Sequence, residues 1–339
     1  MFGALVQRST MDSWRCLFDD EDHLESRSFP PLHKIVLGLS PVTLKNQLEL
    51  STAGIDDRDA DGRTALSWAA TRGDLDAVSL LLRYGANPNV ASQRGQTPLH
   101  WASQNPTADC WRVLELLIEA GSKVNAVDYW KRTALIYASC NQDDPQVLEV
   151  LLRGGADINF QDCHRRTSMG YAAKMGKFRG LDFLLSHGAD ETLTDAWGFP
   201  PIFEAVQHNH HSSLAALIRH RPLSLVKDVN ESSIFHIVAS YGDEKSMSAL
   251  ERGNLGELDL NALDKNGNSP QNLLNQREDL TPELRNAFQM LTIAHNPGLA
   301  KIFGPQIWES EHKNADDDYD ESDKFVDAKE HLDTVSLAD

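Results

Sequence analysis

The chain has 339 residues, 41% of them hydrophobic, and a formal charge of −18 at pH 7. No run approaches the 18 or so consecutive apolar residues of a membrane helix. The acidic balance also excludes nucleic-acid binding through bulk electrostatics, which needs a basic field to neutralise phosphate. Residues 1–29 come first; 1–27 carry six Asp/Glu against three Arg. With no apolar run behind a basic start, they predict an acidic, disordered lead segment rather than a signal peptide. Pro31-Leu32-His33-Lys34-Ile35-Val36 then predicts a divergent helical unit over 30–60 that caps the N-terminal end of a longer array.

From residue 61 a period takes over, and four columns can be read down the sequence. The first is Thr64, Thr97, Thr133, Thr167, Pro200, Ser233 and Ser269, with spacings of 33, 36, 34, 33, 33 and 36. These residues number units one to seven. The second is an apolar pair 17 to 20 residues later: Leu81-Leu82, Leu117-Ile118, Leu151-Leu152, Leu184-Leu185 and Leu217-Ile218. The third is Gly85, Gly121, Gly155 and Gly188. The fourth is Asp59, Asp128, Asp162, Asp195, Asp228 and Asp264, five residues before the first column, with Ser92 as the exception.

Each column has a physical reason. A Thr or Ser hydroxyl caps a helix by accepting from the free N–H groups of its first turn. Pro98 sits just inside such a start, where its missing N–H costs nothing. Leu66, Ala69 and Ala70, like Leu99 and Ala102, give a short helix with one apolar face. Val78, Leu81 and Leu82 give a second helix at i, i+3, i+4 spacing. Glycine takes the left-handed conformation that ends it. Asp, with Gly62, Gly95, Gly198 and Gly267, marks a turn between units. Neither helix of a pair can bury its apolar face alone, so neighbouring units must supply the stability.

Gly95-Gln96-Thr97-Pro98-Leu99-His100-Trp101-Ala102 is close to the T-P-L-H-x-A signature, and the chain resembles the ankyrin-repeat family over roughly 30–294, in the style of fungal ankyrin proteins. The resemblance implies an all-α solenoid of helix–turn–helix units joined by β-hairpin-like turns: five clear repeats over 61–228, two degenerate ones over 229–304, and an acidic disordered tail over 305–339. Ile136, Gly170 and Phe203 replace the signature His. Extra residues fall within 104–111, near 141–145 and before Leu258, where a solenoid accepts loops. Unit five ends in Arg221-Pro222 instead of Gly-Ala.

The family's turn tips and first helices line the surface that usually holds partners. Here units three to five present Tyr129, Trp130, Lys131, Arg132, His164, Arg165, Trp197 and Phe199 along one edge, rich in the residue types that dominate interfaces. Lys131 and Arg165 fill a slot where four other units place Gly, predicting backbone strain there. The expected partner is a protein with an acidic surface. Trp68, Trp101, Tyr137 and Tyr171 recur in the first helices and predict core packing rather than a groove. Thr71-Arg72, Gln104-Asn105, Cys140-Asn141, Lys174-Met175 and Gln207-His208, just behind them, are better groove candidates. His208, His210 and His211 have no Cys or carboxylate at zinc-like spacing and predict no metal site.

Residues 309–339 carry twelve Asp/Glu against three Lys. Within them the run 316–323 is too charged to pack, and it offers an internal competitor for the basic edge. Phe325, Ala328, Leu332 and Val335 share one face of a possible short helix. No nucleotide-binding, protease or hydrolase signature occurs, nor any D-H-H-C or kinase set such as some ankyrin arrays adjoin. The flanks of about 30 and 35 residues predict no catalytic domain. A non-catalytic, cofactor-free, monomeric interaction scaffold of the cytoplasm or nucleus is expected, the cysteines being free thiols of a reducing compartment. The alternatives are a regulatory fragment or partner of a larger effector enzyme or NTPase, and an inhibitor of a transcription factor.

Overall fold

The computed structural model describes residues 29–105, 107, 110–220, 227–253, 259 and 262–296. Its helices come in antiparallel pairs: α1 (Pro31–Val36) with α2 (Leu44–Leu50), α3 (Ala65–Arg72) with α4 (Leu75–Arg83), α5 (Pro98–Ser103) with α6 (Cys110–Glu119), α7 (Ala134–Asn141) with α8 (Pro145–Arg153). The series continues with α9 (Ser168–Lys174) and α10 (Phe178–Ser186), α11 (Pro201–Gln207) and α12 (His211–His220), α13 (Ile234–Tyr241) and α14 (Glu244–Glu251), α15 (Pro270–Asn275) and α16 (Pro282–His295). Odd-numbered helices pack on odd, even on even, from α1 to α16, so one two-layer stack runs the length of the array. Among the described residues no strand forms.

The caps are those the hydroxyl column predicts. Thr64, Thr133, Thr167 and Ser269 accept from the backbone N–H three residues on. Units two and six use a reciprocal arrangement: the ring Nδ1 of His100 accepts from Thr97 N at 3.1 Å, and that of His236 from Ser233 N at 3.1 Å. The far nitrogens, Nε2, donate to the next unit's turn, at Arg132 O (3.1 Å) and Asn268 O (3.2 Å). His33 does the same for the capping unit, reaching Arg63 O at 2.8 Å. Pro30, which has no N–H, stands at its cap, and His33 Nδ1 is left without a hydrogen bond.

Gly85, Gly121, Gly155 and Gly188 all have φ between 81° and 92°, and the next N–H folds back to the second helix, as from Ala86 to Leu81 O. This is the left-handed termination that only glycine adopts without strain. Beyond it, Asn89, Asn125 and Asn159 clasp the following unit: Asn89 Oδ1 accepts from Lys123 N at 2.8 Å while its amide donates to Gly121 O at 3.0 Å. The core is one continuous band of Leu, Ala and Val from Phe29 to Leu291.

The insertion in unit two is held by amides. Asn105 donates to Thr71 O at 2.9 Å, and Gln142 of the next unit donates to Ser103 O and Asn105 O at 2.9 and 2.7 Å. The Cys110 thiol donates to Gln142 Oε1 at 3.2 Å. The lead segment, Arg221-Pro222, most of the insertion before Leu258, and the tail with its acidic run lie outside the described residues.

Candidate partner-binding edge

The turn between units is built around one carboxylate. In each Asp-bearing turn Oδ1 accepts two backbone N–H bonds, from the residues two and four further on: Asp128 from Trp130 and Arg132 at 2.9 and 2.8 Å, Asp195 from Trp197 and Phe199 at 2.9 Å each. The carboxylate therefore satisfies backbone donors that a turn leaves open. The residue three beyond the Asp must take positive φ. It is Gly62, Gly198 and Gly267, with Gly95 at the same place after Ser92, at 76° to 80°, but Lys131 at 58°, Arg165 at 57° and Glu231 at 61°. Gly198 is required twice over, because a Cβ there would lie 2.8 Å from Val229 N.

The tips are joined edge to edge. Gln93 N donates to Asp61 O, Tyr129 N to Arg94 O, Cys163 N to Trp130 O, Ala196 N to His164 O, Val229 N to Trp197 O and Lys265 N to Asn230 O, all at 2.8–3.0 Å. One bond per boundary makes a continuous hydrogen-bonded edge, so side chains at the tips sit on a rigid support.

Beneath the tips runs a polar seam that sequence reasoning missed. In units one, two and four the residue just before the cap reaches the next first helix. Arg63 lies between the rings of Trp68 and Trp101, 3.6 and 3.7 Å from their centroids. Gln96 donates to the Tyr137 hydroxyl at 2.9 Å. Arg132 sits 4.4 Å above Tyr137 and binds Asp128 Oδ2 at 2.8 Å. Arg166 binds Asp195 at 2.9 Å and Glu204 at 2.7 Å. Glu204 stands in register with Trp68, Trp101, Tyr137 and Tyr171, and this shared register is the signal that could have revealed the seam. Trp68, Tyr137 and Tyr171 each donate to the Oδ2 of their own turn's Asp, at 2.8, 2.7 and 2.8 Å.

Electrostatics follow from this seam. Burial alone would raise the Asp128 carboxyl, but the Arg132 backbone N–H, the Tyr137 hydroxyl and the Arg132 guanidinium outweigh it and hold it below the usual range. Burial and the bond to Asp128 push the Tyr137 phenol well above its ordinary value. Burial pulls His33, His100 and His236 below theirs, against the carbonyls that their rings face.

The eight candidate residues divide accordingly. Tyr129 is 80% exposed and Trp197 50% exposed, and Lys131, His164 and Arg165 are exposed beside them. His164 stacks on Trp197 across the unit boundary at 5.8 Å. Trp130 is half-buried under Arg132, 4.5 Å from its ring, and edge-on to Tyr129. Arg132 turns inward onto Asp128, and Phe199 packs on Phe203. Arg166, next in sequence to the exposed Arg165, is likewise spent on internal carboxylates.

The recurrent aromatics of the first helices are structural: Trp68 and Tyr137 are buried and half-buried Tyr171 is hydrogen-bonded. The three histidines of unit five diverge. His208 faces Glu204 O, His210 faces Lys174 O, and His211 pairs with Asp243 at 2.8 Å. Among the described residues no helix is long and apolar enough to cross a membrane.

A family profile described as "Ankyrin repeats (3 copies)" matches residues 40–128 and 109–195. The chain is 38% identical over 90 residues to the palmitoyltransferase AKR1 of Saccharomyces cerevisiae, a match covering 26% of the chain and 11% of that protein. It is 30% identical over 112 residues to human inversin, 32% of the chain and 10% of inversin, and 47% identical over 51 residues to human ankyrin repeat domain-containing protein 63, 15% of the chain and 13% of that protein. The chain thus spans about a tenth of the length of its first two relatives, and what it shares with them are repeats. With its capped helix pairs, glycine terminations and hydrogen-bonded turn edge, the chain is an ankyrin-repeat protein.

Proposed function

We propose that the protein is a non-catalytic scaffold that holds a protein partner on the turn tips of units three to five. The observation that carries this reading is the pair Tyr129 and Trp197, 80% and 50% exposed. Large aromatics held out on a rigid hydrogen-bonded edge lose little entropy on being covered, and such residues dominate binding energy. Lys131, His164 and Arg165 flank them; Trp130, Arg132 and Phe199 support the tips from within.

The palmitoyltransferase relative matches only within the repeats, so it favours a shared binding array over shared chemistry. A monomer in the cytoplasm or nucleus completes the reading. The test is quantitative capture from cell extract with wild type and a Tyr129→Ala/Trp197→Ala double variant, read by mass spectrometry beside thermal unfolding. Loss of specific partners with unchanged unfolding supports the reading, and an unaltered capture profile refutes it.

A further inference from the structure

The same edge carries a charge pattern that specifies the chemistry of its partner, an inference that rests on the tips being the binding surface. The three outermost positions of the turns of units two to five are Gln93-Arg94-Gly95, Tyr129-Trp130-Lys131, Cys163-His164-Arg165 and Ala196-Trp197-Gly198. Those twelve residues include no Asp or Glu and three cations, in a chain with 50 acidic residues and a charge of −18. Arg94, Lys131 and Arg165 are all exposed.

The turn carboxylates of units three to five are already committed beneath the tips. Asp128, Asp162 and Asp195 are 5%, 4% and 4% exposed. Each spends Oδ1 on two backbone N–H groups. Each spends Oδ2 on a buried donor: Tyr137 with Arg132, Tyr171, and Arg166. Arg132 and Arg166 are thereby cancelled internally, and the outward cations keep their charge. Lys131 and Arg165 also hold φ near +58° in a slot that Gly fills in units one, two, five and seven. Glu231 shares that strain in unit six, so the strain alone does not single out the cations; their uncancelled charge does.

We infer that Arg94, Lys131 and Arg165 form a linear docking track for an extended acidic segment of a partner protein, with Tyr129 and the His164–Trp197 stack as its apolar wall. Spacing supports the fit. Each boundary adds a turn's two chain passes to the edge, about 10 Å at ordinary interstrand spacing, while a peptide in the extended polyproline II form advances about 3.1 Å per residue with three residues per turn. Acidic side chains at every third residue therefore share one face and meet successive cations. In a strongly acidic protein the attraction is local, so it is sensitive to salt on the scale of the screening length.

The test uses the full chain and a fluorescein-labelled peptide of about twelve residues with Glu at every third position, against the same peptide with Gln, by fluorescence anisotropy. The expected result is binding of the Glu peptide alone, weakening at least about tenfold between about 50 and 300 mM salt. An Arg94→Glu/Lys131→Glu/Arg165→Glu variant should lose at least about tenfold in affinity with an unchanged melting curve, while Lys123→Glu, an exposed cation at the foot of the turn and outside the track, binds as wild type does. Equal binding of the Gln peptide, or equal loss in the Lys123 variant, overturns the inference. So does binding of the Glu peptide only after removal of 309–339, which makes the chain's own acidic run the occupant. If the Tyr129/Trp197 variant loses its cellular partners while the charge variants still bind the peptide as wild type does, the acidic track falls and the scaffold reading stands.

Discussion

Tyr137 donates its hydroxyl to Asp128 Oδ2 at 2.7 Å, tying a first helix to the turn that precedes it. Trp68 makes the same bond to Asp59, and Tyr171 to Asp162. Trp101 occupies that place in unit two, but its turn carries Ser92, and the buried indole Nε1 has no hydrogen-bond partner. Ser92 Oγ accepts one backbone bond, from Gln96 at 3.2 Å, where Asp would accept two.

Ser92→Asp should therefore stabilise the protein by roughly 1 kcal/mol, the usual worth of a satisfied buried donor. Urea unfolding checks it. A destabilised variant would show that the turn of unit two cannot admit the carboxylate.

A second expectation concerns backbone strain. Lys131→Gly and Arg165→Gly should each raise stability by roughly 0.5–1 kcal/mol, because left-handed φ costs an L-residue more than glycine's added chain entropy. Both should weaken capture of the acidic peptide. Glu231→Gly, at the same backbone position but outside the cation track, should gain stability and leave capture alone. That contrast separates a binding role from a purely structural one.

The buried ion pair gives a third. Arg166→Met leaves Glu204, 3% exposed, facing only Lys174 at 3.8 Å and His208 at 3.6 Å. Removing one partner of a buried pair costs about 3–5 kcal/mol, whereas replacing both with apolar groups is close to neutral. Arg166→Met should thus unfold the middle of the array early, and Arg166→Met/Glu204→Leu should recover most of the loss in denaturant midpoint.

The pH dependence has a definite sign. His33, His100 and His236 have folded values held below the unfolded value of 6.5 by burial. In His100 and His236, Nδ1 accepts a backbone N–H and so must stay unprotonated. The unfolded chain binds more protons than the folded one just below pH 6.5, so this stability is fully present above that pH and falls away as the pH drops through it. His100→Gln should lower stability at pH 7.5 and flatten its decline from pH 7 to 5. A parallel decline in the variant would remove His100 from the account.

The columns of Thr, Gly and Asp were legible in the sequence because each answers a local demand of the backbone: a cap, a left-handed termination, a turn. The same columns locate Lys131 and Arg165 in the glycine slot, and Glu231 falls there too once the register is carried to unit six. What adjacency in sequence could not reveal is direction. Lys131 points out while Arg132 beside it turns in, because positive φ at the first swings the chain before the second. Trp130 and Tyr129 also differ in exposure, and so only part of the aromatic-basic edge is solvent-facing. The seam was hidden because its partners lie 29 to 41 residues apart and pair unlike side chains, Arg with Trp, Gln with Tyr, Arg with Glu.

That seam makes the units unequal as exchangeable parts. Units two, three and five each finish their polar interior with a side chain lent by their predecessor, Arg63, Gln96 and Arg166 in turn, so each brings half of a joint rather than a whole one. Unit three, which offers a tyrosine hydroxyl, can be completed by a neutral amide, and Gln96 does so. Unit five cannot: its buried Glu204 needs a cation from behind, and Arg166 supplies it at 2.7 Å. Excising units three and four together would seat a buried carboxylate against the neutral amide of Gln96. The order of the repeats is thus encoded in their neighbours' side chains, and recombination within this array is permitted at some boundaries and barred at one.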